Sequence, residues 1–471
     1  MSDSATPSAP DAGRGIDLSR FVPHRSFGLK LLLVCALAMI MAIPATFVWG
    51  LVYMRSTDAS AAVAGVAQLR GGAQTLMGPA IVVPVDRDVL NASSNTVQTV
   101  TQRLVLYPET GSVAADLRTE KLTRGLHDVP VYTADARFTA VFDASKLAAE
   151  APAGARIRWA DARVYMSLTD LRGAKDATLT LNGRVLELAP AELSGQSSDG
   201  YAAPMSYQRL VGAPIPWLEE AVGAPITAAA RLRVTGAERV ALAAFAKDTT
   251  IEMTGDWASP SFDGGALPDA REVTDAGFKA SWRIPFLARG AAGAGLDLSF
   301  ETVTSTSPGA TLLDTANPYK SVQRALKYAP MFIGLVFLSY FLFEVTSGAR
   351  AHPAQYVLVG LAQLVFYLLL LSVSEQLGFT LGFLVAAIGT VSAISFYAGS
   401  VFGSRAAMIK AFAVFSTLYA LIYVLMRMED YALLVGSIAS FLAITATMWM
   451  TRNLDWYGVG RASAPKPEQA V

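Results

Sequence analysis

Long apolar runs without charge flank a central region in which apolar and polar residues alternate. The first run follows Lys30 and continues for 24 residues without a charged side chain. About 20 apolar residues cross a bilayer as a helix, so the pattern predicts a transmembrane helix over residues 27–53, kinked at Pro44. A cleaved signal peptide is the alternative, because Ala59-Ser60-Ala61 has the small-residue pattern of a cleavage site. Signal peptides usually have an apolar core of roughly 7–15 residues, and this run is longer.

Five further apolar runs lie in the last third of the chain, and charged residues mark the breaks between them. They cover residues 328–343, 355–373, 377–398, 406–426 and 431–450. Each run has the length and composition of a transmembrane helix. The expected fold class is therefore a membrane α + β protein. It has one N-terminal transmembrane anchor, a large β-rich periplasmic domain and a C-terminal bundle of five transmembrane helices.

The distribution of Lys and Arg predicts the orientation in the membrane. If the N-terminus is cytoplasmic, ten of these residues lie in the tails and short loops on that side. Only Arg427 lies in a short loop on the other side. Because cytoplasmic loops are enriched in Lys and Arg, both termini are expected in the cytoplasm and residues 54–326 in the periplasm.

The chain is thereby divided into five parts. We expect a disordered cytoplasmic tail over 1–26, helix 27–53, a periplasmic domain over 54–326, the bundle over 327–451 and a second tail over 452–471.

Period-two alternation predicts that the periplasmic domain is built mainly of half-buried strands. The expected strands are Thr99–Tyr107, Arg137–Phe142, Ala162–Leu168, Thr178–Leu188, Leu232–Val234, Thr249–Met253, Phe278–Ile284 and Leu296–Phe300. Asn182-Gly183 predicts a type I′ hairpin turn inside the fourth. Helices are expected only over 58–70 and 216–222. Many short strands separated by turns favour an antiparallel, sandwich-like architecture.

Composition excludes several function classes. The chain carries 38 Lys+Arg and 38 Asp+Glu, so its net charge is zero and nucleic-acid binding by bulk charge is not expected. One cysteine cannot form an intramolecular disulfide, and three histidines leave little material for zinc or histidine catalysis. We predict no enzyme, no cofactor, no metal site and no catalytic residue.

Three local patterns in the sequence are candidates for a catalytic or binding site. The segment Gly290–Gly295 reads GAAGAG, but it lacks the strand-then-helix context of a phosphate loop and favours a surface loop. Asp86 and Asp88 could bind a cation, although solvated charges at a strand end are more common. A remote alternative function is an envelope hydrolase. Its catalytic histidine would have to be His127, because this is the only histidine between 54 and 326.

Polar residues near the apolar runs raise a second alternative, a transporter or channel-like component. Ionisable groups in a membrane are costly and often functional. The candidates are Glu375 at an outer interface and Arg427, Glu429 and Asp430 in the next outer turn. The simpler interpretation is a short interfacial loop and a local charge cluster. Gln363 is interpreted as a link between helices, and Gly378, Gly382 and Ala386, four residues apart, as a surface for close helix packing.

Six stretches of the chain resemble the CreD family of bacterial inner-membrane proteins. They are RSFGLKLLL (25–33), GGAQTLMGPAIVVPV (71–85), HPAQYVLVG (352–360), FYLLLLSVSEQLGF (366–379), LIYVLMRMEDYALLVGS (421–437) and TRNLDWY (451–457). The resemblance spans about residues 24–457, with only a loose match over 86–320. It implies a non-enzymatic protein associated with cell envelope integrity and envelope stress, and it transfers no catalytic residue.

The shared stretches also suggest structural roles. Gly71-Gly72 and Gly78-Pro79 are expected to form two tight turns that lead from the first helix into the β-rich domain. His352-Pro353 would open a helix, because proline is tolerated in a first turn. Asp455 and Trp456 are expected at the cytoplasmic interface.

The expected partners are the lipid bilayer and an unknown envelope protein or cell-wall component. The sequence leaves the oligomeric state open.

Overall fold

Helices and strands occupy separate parts of the chain. This computed structural model describes residues 27–91, 96–124, 127–192, 209–312, 318–348, 350–427, 431–454 and 456. These described residues form two compact units, one from those up to 56 together with those from 316 onward, the other from those within 57–315. The first unit is helical and the second is rich in strands.

The helices of the described residues are α1 (Phe27–Ile40), α2 (Ala42–Leu69), α3 (Ser145–Glu150), α4 (Phe286–Arg289), α5 (Phe300–Thr304), α6 (Pro318–Lys327), α7 (Ala329–Ser347), α8 (Pro353–Leu377), α9 (Phe379–Val401), α10 (Arg405–Arg427) and α11 (Ala432–Thr451). In this part of the chain, six helical runs are long and apolar enough to cross a membrane. They are Phe27–Leu69, Ala329–Ser347, Pro353–Leu377, Phe379–Val401, Arg405–Arg427 and Leu433–Thr451. Each apolar run of the sequence is therefore helical.

The first apolar run is interrupted close to its proline. Residue Met41 separates α1 from α2 and lies within one turn of Pro44. Proline lacks the N–H that would bond to the carbonyl of Ile40, which explains a break at this place. The helix then continues to Leu69, well beyond the end expected at residue 53. The helix predicted over 58–70 is thus a continuation of α2 and not a separate element.

The strands are β1 (Gln74–Asn91), β2 (Thr96–Leu106), β3 (Thr110–Arg124), β4 (His127–Asp143), β5 (Arg156–Ile157), β6 (Arg163–Leu168), β7 (Ala174–Leu181), β8 (Arg184–Leu186), β9 (Ala189–Ala191), β10 (Arg209–Pro214), β11 (Pro225–Ala237), β12 (Arg239–Leu242), β13 (Asp248–Gly255), β14 (Pro260–Asp263), β15 (Ala270–Thr274), β16 (Gly277–Ile284), β17 (Ala294–Leu296) and β18 (Gly309–Leu312).

These strands form two sheets around one apolar core. The first has the order β14-β18-β12-β1-β6-β10-β9, with β2 and β5 also on β1 and β17 on β2. The second has the order β15-β16-β13-β3-β4-β11-β7-β8. Phe138 of the second sheet packs edge-on against Phe245, 5.6 Å between ring centroids, and both rings belong to the shared core.

Two strand pairings correct the expectation of a purely antiparallel architecture. β1 runs parallel to β12, and β3 runs parallel to β13. Both sheets are therefore mixed, although the sequence suggested antiparallel pairing. Period-two alternation indicates which face of a strand is buried, but it does not indicate the direction of the neighbouring strand.

Of the turns and short elements predicted in the β-rich unit, some are confirmed and others are wrong. Asn182 and Gly183 have φ of 49° and 79° and join β7 to β8, which confirms the type I′ turn. The strand predicted over Leu296–Phe300 is wrong, because β17 ends at Leu296 and Ser299 caps the short helix α5 by accepting from Glu301 N at 3.2 Å. The helix expected over 216–222 is a single 3-10 turn, Leu218–Ala221.

The helical unit has an aromatic interior. The Tyr419 ring meets Phe332 and Phe366 at 4.9 Å in each case, edge to face. Residues on the other faces of these helices, such as Leu384 and Phe441, are more than half exposed. An exposed apolar exterior around a packed interior is what helices in contact with lipid require.

Candidate functional site

A buried carboxylate in the helical unit is the most elaborate polar arrangement of the described residues. Glu344, near the end of α7, is 2% exposed. Lys30 of α1 forms an ion pair with Glu344 Oε1 and also donates to the carbonyl of Ala351 at 2.9 Å. The Ala351 N–H donates to the same oxygen at 3.1 Å, and the Tyr356 hydroxyl of α8 donates to Oε2 at 2.9 Å. Both carboxylate oxygens are therefore satisfied, and three helices meet at one charge.

Sequence reasoning missed this cluster. Lys30 precedes the first apolar run and Glu344 follows the run over 328–343, and neither was assigned a role. An ionisable residue at the edge of an apolar membrane segment is itself a reason to look for a partner. The partner could not be named, because 314 residues separate the two side chains.

The buried face of α8 carries a stripe of polar side chains, which we call the α8 stripe: Tyr356, Gln363, Tyr367 and Ser374. Their spacings of 7, 4 and 7 residues place them on one face of the helix, and all four are at most 2% exposed. At 1.5 Å per residue the stripe is about 27 Å long, close to the thickness of a bilayer core.

Most groups of the α8 stripe lack a protein partner. Both amide atoms of Gln363, the hydroxyl of Tyr367 and the hydroxyl of Ser374 are buried without a hydrogen bond to any described residue. Buried polar groups are nearly always bonded, so such atoms need water or a bound ion. The interpretation of Gln363 as a link between helices finds no bonded partner in the part of the chain described.

Ser374 also marks the closest approach of α8 and α9. A Cβ on Gly382 would lie 2.3 Å from Ser374 Oγ, and Ala386 on the same face is fully buried. Gly382 and Ala386 therefore pack as expected. Gly378 does not, because it ends α8 with φ of 80° and has nothing within 4 Å of a built Cβ.

Glu375 accepts a hydrogen bond from a neighbouring helix, and it forms no ion pair with any residue that the structure describes. The Tyr319 hydroxyl of α6 donates to Glu375 Oε1 at 2.9 Å. Burial, followed by this hydrogen bond, raises the pKa of Tyr319 to about 12. Tyr319 thus remains a neutral donor, and Glu375 fastens the end of α8 to α6.

Arg427 is held by hydroxyl groups. It donates to Thr380 Oγ1 at 2.8 Å and to the hydroxyl of Tyr423 at 3.2 Å. No ion pair of Arg427 with Glu375 occurs among the residues described. Glu429 and Asp430, expected to complete a charge cluster with Arg427, lie outside the described residues.

The glycines that follow α2 behave differently from one another. Gly71 and Gly72 have φ of 95° and 59° and form the expected turn. Gly78-Pro79, in contrast, lies inside β1 at a shift of register against β6, so the predicted second turn is wrong. Glycine is needed at 78 because a Cβ there would lie 2.6 Å from the ring of Phe245. A bulge uses the same residue types as a turn, which explains the error.

His352 and Pro353 open α8 as expected. His352 Nδ1 accepts from Ala354 N at 3.2 Å, and Gln355 Oε1 accepts from His352 N at 2.9 Å, so the two side chains form a capping box. At the same end of the unit, the carbonyl of Trp456 accepts from Gly28 N at 3.4 Å. Asp455 lies outside the described residues.

The external candidates are ordinary strand residues. Asp86 and Asp88 accept from Thr101 and Thr99 on the neighbouring strand, at 2.7 Å in each case. His127 begins β4 opposite Arg124 of β3. Among the described residues, no group of three His, Cys, Asp or Glu is placed to hold a metal ion.

The second sheet carries a shallow groove of about 680 Å³, which we call the hydroxyl groove. Its lining is rich in small hydroxyl side chains: Thr110, Ser112, Thr139, Thr180, Thr227 and Thr250. Asp248 and Arg283 form an ion pair at 3.0 Å at its margin. Hydroxyl groups that both donate and accept suit a polar, hydrogen-bonding ligand.

The apolar helical unit and the two-sheet unit together define a multi-pass membrane protein with a large β-rich part. Residues 26–457 match the family model described as "Inner membrane protein CreD". The chain therefore belongs to the CreD family of inner membrane proteins. That description names a membrane protein and no reaction.

Two known proteins show how far the similarity extends. The chain is 29% identical over 400 residues to "Inner membrane protein CreD" of Escherichia coli (strain K12), which covers 83% of this chain and 85% of that protein. A structural comparison with an M1 zinc metallopeptidase from Deinococcus radiodurans covers 78% of this chain and 96% of the peptidase. Its sequence identity is 12% and its TM-score 0.19, so it carries no argument about function.

Proposed function

We propose that this protein contributes to cell envelope integrity by binding an envelope protein or cell-wall component through its β-rich unit. The helical unit anchors it in the inner membrane, with both termini cytoplasmic and residues 54–326 periplasmic. The hydroxyl groove is the observation that carries the proposal, because it is a concave, exposed surface whose lining is rich in hydroxyl groups and largely uncharged. The ten-to-one excess of Lys and Arg supports the orientation.

The groove can be filled without disturbing the core. Thr139 and Thr250 are exposed, so a tryptophan at either place projects over the groove. Val97 is 69% exposed and lies on β2 of the first sheet, outside the groove, which makes Val97→Trp the matched control. The assay is survival under a cell-wall-active agent of a strain that lacks its own copy.

We expect wild type and Val97→Trp to restore survival, and Thr139→Trp, Thr250→Trp and a deletion of 86–320 to fail at equal protein levels. Full restoration by the deletion, or by both groove variants, would overturn the proposal.

The orientation has its own test. In a Cys35→Ser background, Val185→Cys offers one exposed thiol. A membrane-impermeant maleimide should label it in spheroplasts without lysis; labelling only after lysis would reverse the topology.

The α8 stripe favours a second function, passage of protons or small ions through the helical unit. Hydroxyl groups and water can both accept and donate a proton. The stripe extends through about a bilayer's thickness between Glu344 and Glu375, and three of its four side chains have unpartnered groups. Reconstituted vesicles that contain a pH-sensitive dye test the idea under an imposed potential. We expect Tyr367→Phe and Glu375→Gln to lower the flux and Ser437→Ala, on an exposed face of α11, to leave it unchanged. Flux equal to that of empty vesicles would exclude this function.

A further inference from the structure

An arginine buried in the β-rich unit lacks partners for two of its nitrogens. Arg289 ends α4 and is 4% exposed. Its Nη1 donates to the carbonyl of Ala292 at 3.3 Å. Nε and Nη2 are both buried and have no hydrogen-bond partner among the described residues. A buried guanidinium without partners is costly, so its presence calls for a physical explanation.

The surroundings supply an aromatic face and no counter-charge. The Arg289 guanidinium lies 4.2 Å from the centroid of the Tyr107 ring, and Tyr107 is 1% exposed. A cation over an aromatic face is stabilised, but the ring leaves the N–H groups at the edge of the guanidinium unsatisfied. Burial lowers the pKa of Arg289 to about 10 and raises that of Tyr107. At neutral pH Arg289 is therefore charged and Tyr107 is neutral.

Neighbouring cations are already paired. Lys247 and Lys146 both bind Glu109, Lys247 at 3.1 Å. The hydrogen bond from the Ser145 side chain, with a smaller contribution from the charges of both lysines, lowers the pKa of Asp143. Two lysines thus face two carboxylates. No described carboxylate lies within ion-pair distance of Arg289, so it carries the excess positive charge of this group.

The segment over Arg289 is the Gly-Ala run of the sequence. The carbonyl of Gly293 accepts from Tyr107 N at 2.9 Å, and a Cβ on Gly293 would lie 2.2 Å from Lys247 Cε. Gly290 turns the chain with φ of 67°. Residues 290–293, which precede β17, carry no side chain larger than a methyl group, so a ligand that approaches Arg289 along this segment meets no bulky group.

We propose that Arg289 binds an oxyanion, a carboxylate or phosphate group of a ligand, through Nε and Nη2. These two N–H groups form one side of the guanidinium fork, which pairs with two oxygens of a carboxylate or phosphate by parallel hydrogen bonds. The stacked ring of Tyr107 fixes the plane of the fork. The site is independent of the hydroxyl groove, and neither requires the other.

The test uses the purified full-length protein in detergent at pH 7 and constant ionic strength. Sodium phosphate and sodium acetate each replace sodium chloride stepwise, and the midpoint of thermal unfolding and the heat of binding are recorded. Arg184→Gln is the matched control, because Arg184 also stacks on a ring, that of Trp217 at 4.6 Å, but is exposed.

We expect at least one of the two anions to raise the wild-type midpoint and to saturate, and the anion that does so identifies the class of oxyanion. Arg289→Lys should weaken the apparent affinity by about tenfold or more, because it keeps the charge and loses the fork. Arg289→Gln should abolish the saturable shift without lowering the midpoint in chloride, since it removes an uncompensated buried charge. Arg184→Gln should respond as wild type does.

Two results would overturn the proposal. One is a wild-type midpoint that neither anion raises with saturation. The other is an equal response of wild type, Arg289→Lys and Arg184→Gln, which would mean a general salt effect.

Discussion

The ion pair between Lys30 and Glu344 should couple the first helix energetically to the helices at the far end of the chain. Lys30→Met would leave a carboxylate that is 2% exposed with only the Tyr356 hydroxyl and the Ala351 N–H as donors. Removal of one partner of a buried pair costs about 3–5 kcal/mol. Because the Lys30 side chain is 23% exposed, we expect the lower end, about 3 kcal/mol.

The opposite change should cost less. In Glu344→Gln the long Lys30 side chain can extend toward the membrane interface, so the free energy of unfolding should fall by only about 1–2 kcal/mol. Without coupling, the double variant would lose the sum, about 4–5 kcal/mol. With the pair formed as described, the double variant should lose only about 2 kcal/mol, which gives a coupling energy of about 2–3 kcal/mol.

The measurement is a double-mutant cycle on reversible unfolding in mixed micelles. Arg283 and Asp248 serve as the comparison pair, because their side chains are 72% and 40% exposed. We expect no measurable coupling there, since exposed pairs contribute little. A coupling energy for Lys30 and Glu344 below about 0.5 kcal/mol, the range of ordinary additivity, would refute the reasoning.

Two further predictions concern packing and pH. Gly382→Ala should destabilise the protein, because the new Cβ would lie 2.7 Å from the backbone nitrogen of Ser374. Gly389→Ala should leave the stability unchanged, because nothing lies within 4 Å of a Cβ built there. Equal unfolding midpoints of the two variants would contradict the close approach of α8 and α9. The hydrogen bond from Arg231 lowers the pKa of Asp135, so its contribution to stability is present above the unfolded pKa of about 4 and is lost as pH falls through the folded value. Asp135→Asn should therefore lose stability at pH 7 and show a shallower decline below pH 4 in an acid titration of unfolding, and an unchanged slope would disprove the linkage.

The helices were predictable because the bilayer sets their length. The run predicted over 377–398 is α9, Phe379–Val401, and that over 406–426 is α10, Arg405–Arg427. The predicted ends of an element are less accurate where no membrane limits its length. α2 continues to Leu69 through polar residues, beyond the apolar run that predicted it.

The polar centres could not be predicted, because their geometry comes from tertiary packing. Glu344 follows an apolar run like any helix-ending charge, and only the fold brings Lys30 and Tyr356 to it. The turn predicted at Gly78-Pro79 failed for a related reason, since the need for glycine arises from the ring of Phe245 on a distant segment. The alternation of apolar and polar residues predicted which segments form strands, but it did not predict which strands pair with one another.

The ion pair of Lys30 also bears on biosynthesis. At roughly 5–20 residues per second, the ribosome needs on the order of 15–60 seconds to add the 314 residues that separate Lys30 from Glu344. During that interval the first helix has a lysine at its end and no carboxylate to meet it, while the residues of the β-rich unit are made. The helical unit is thus completed last although it contains the first helix made. A nascent chain that stalls before residue 344 therefore has a Lys30 without its carboxylate partner.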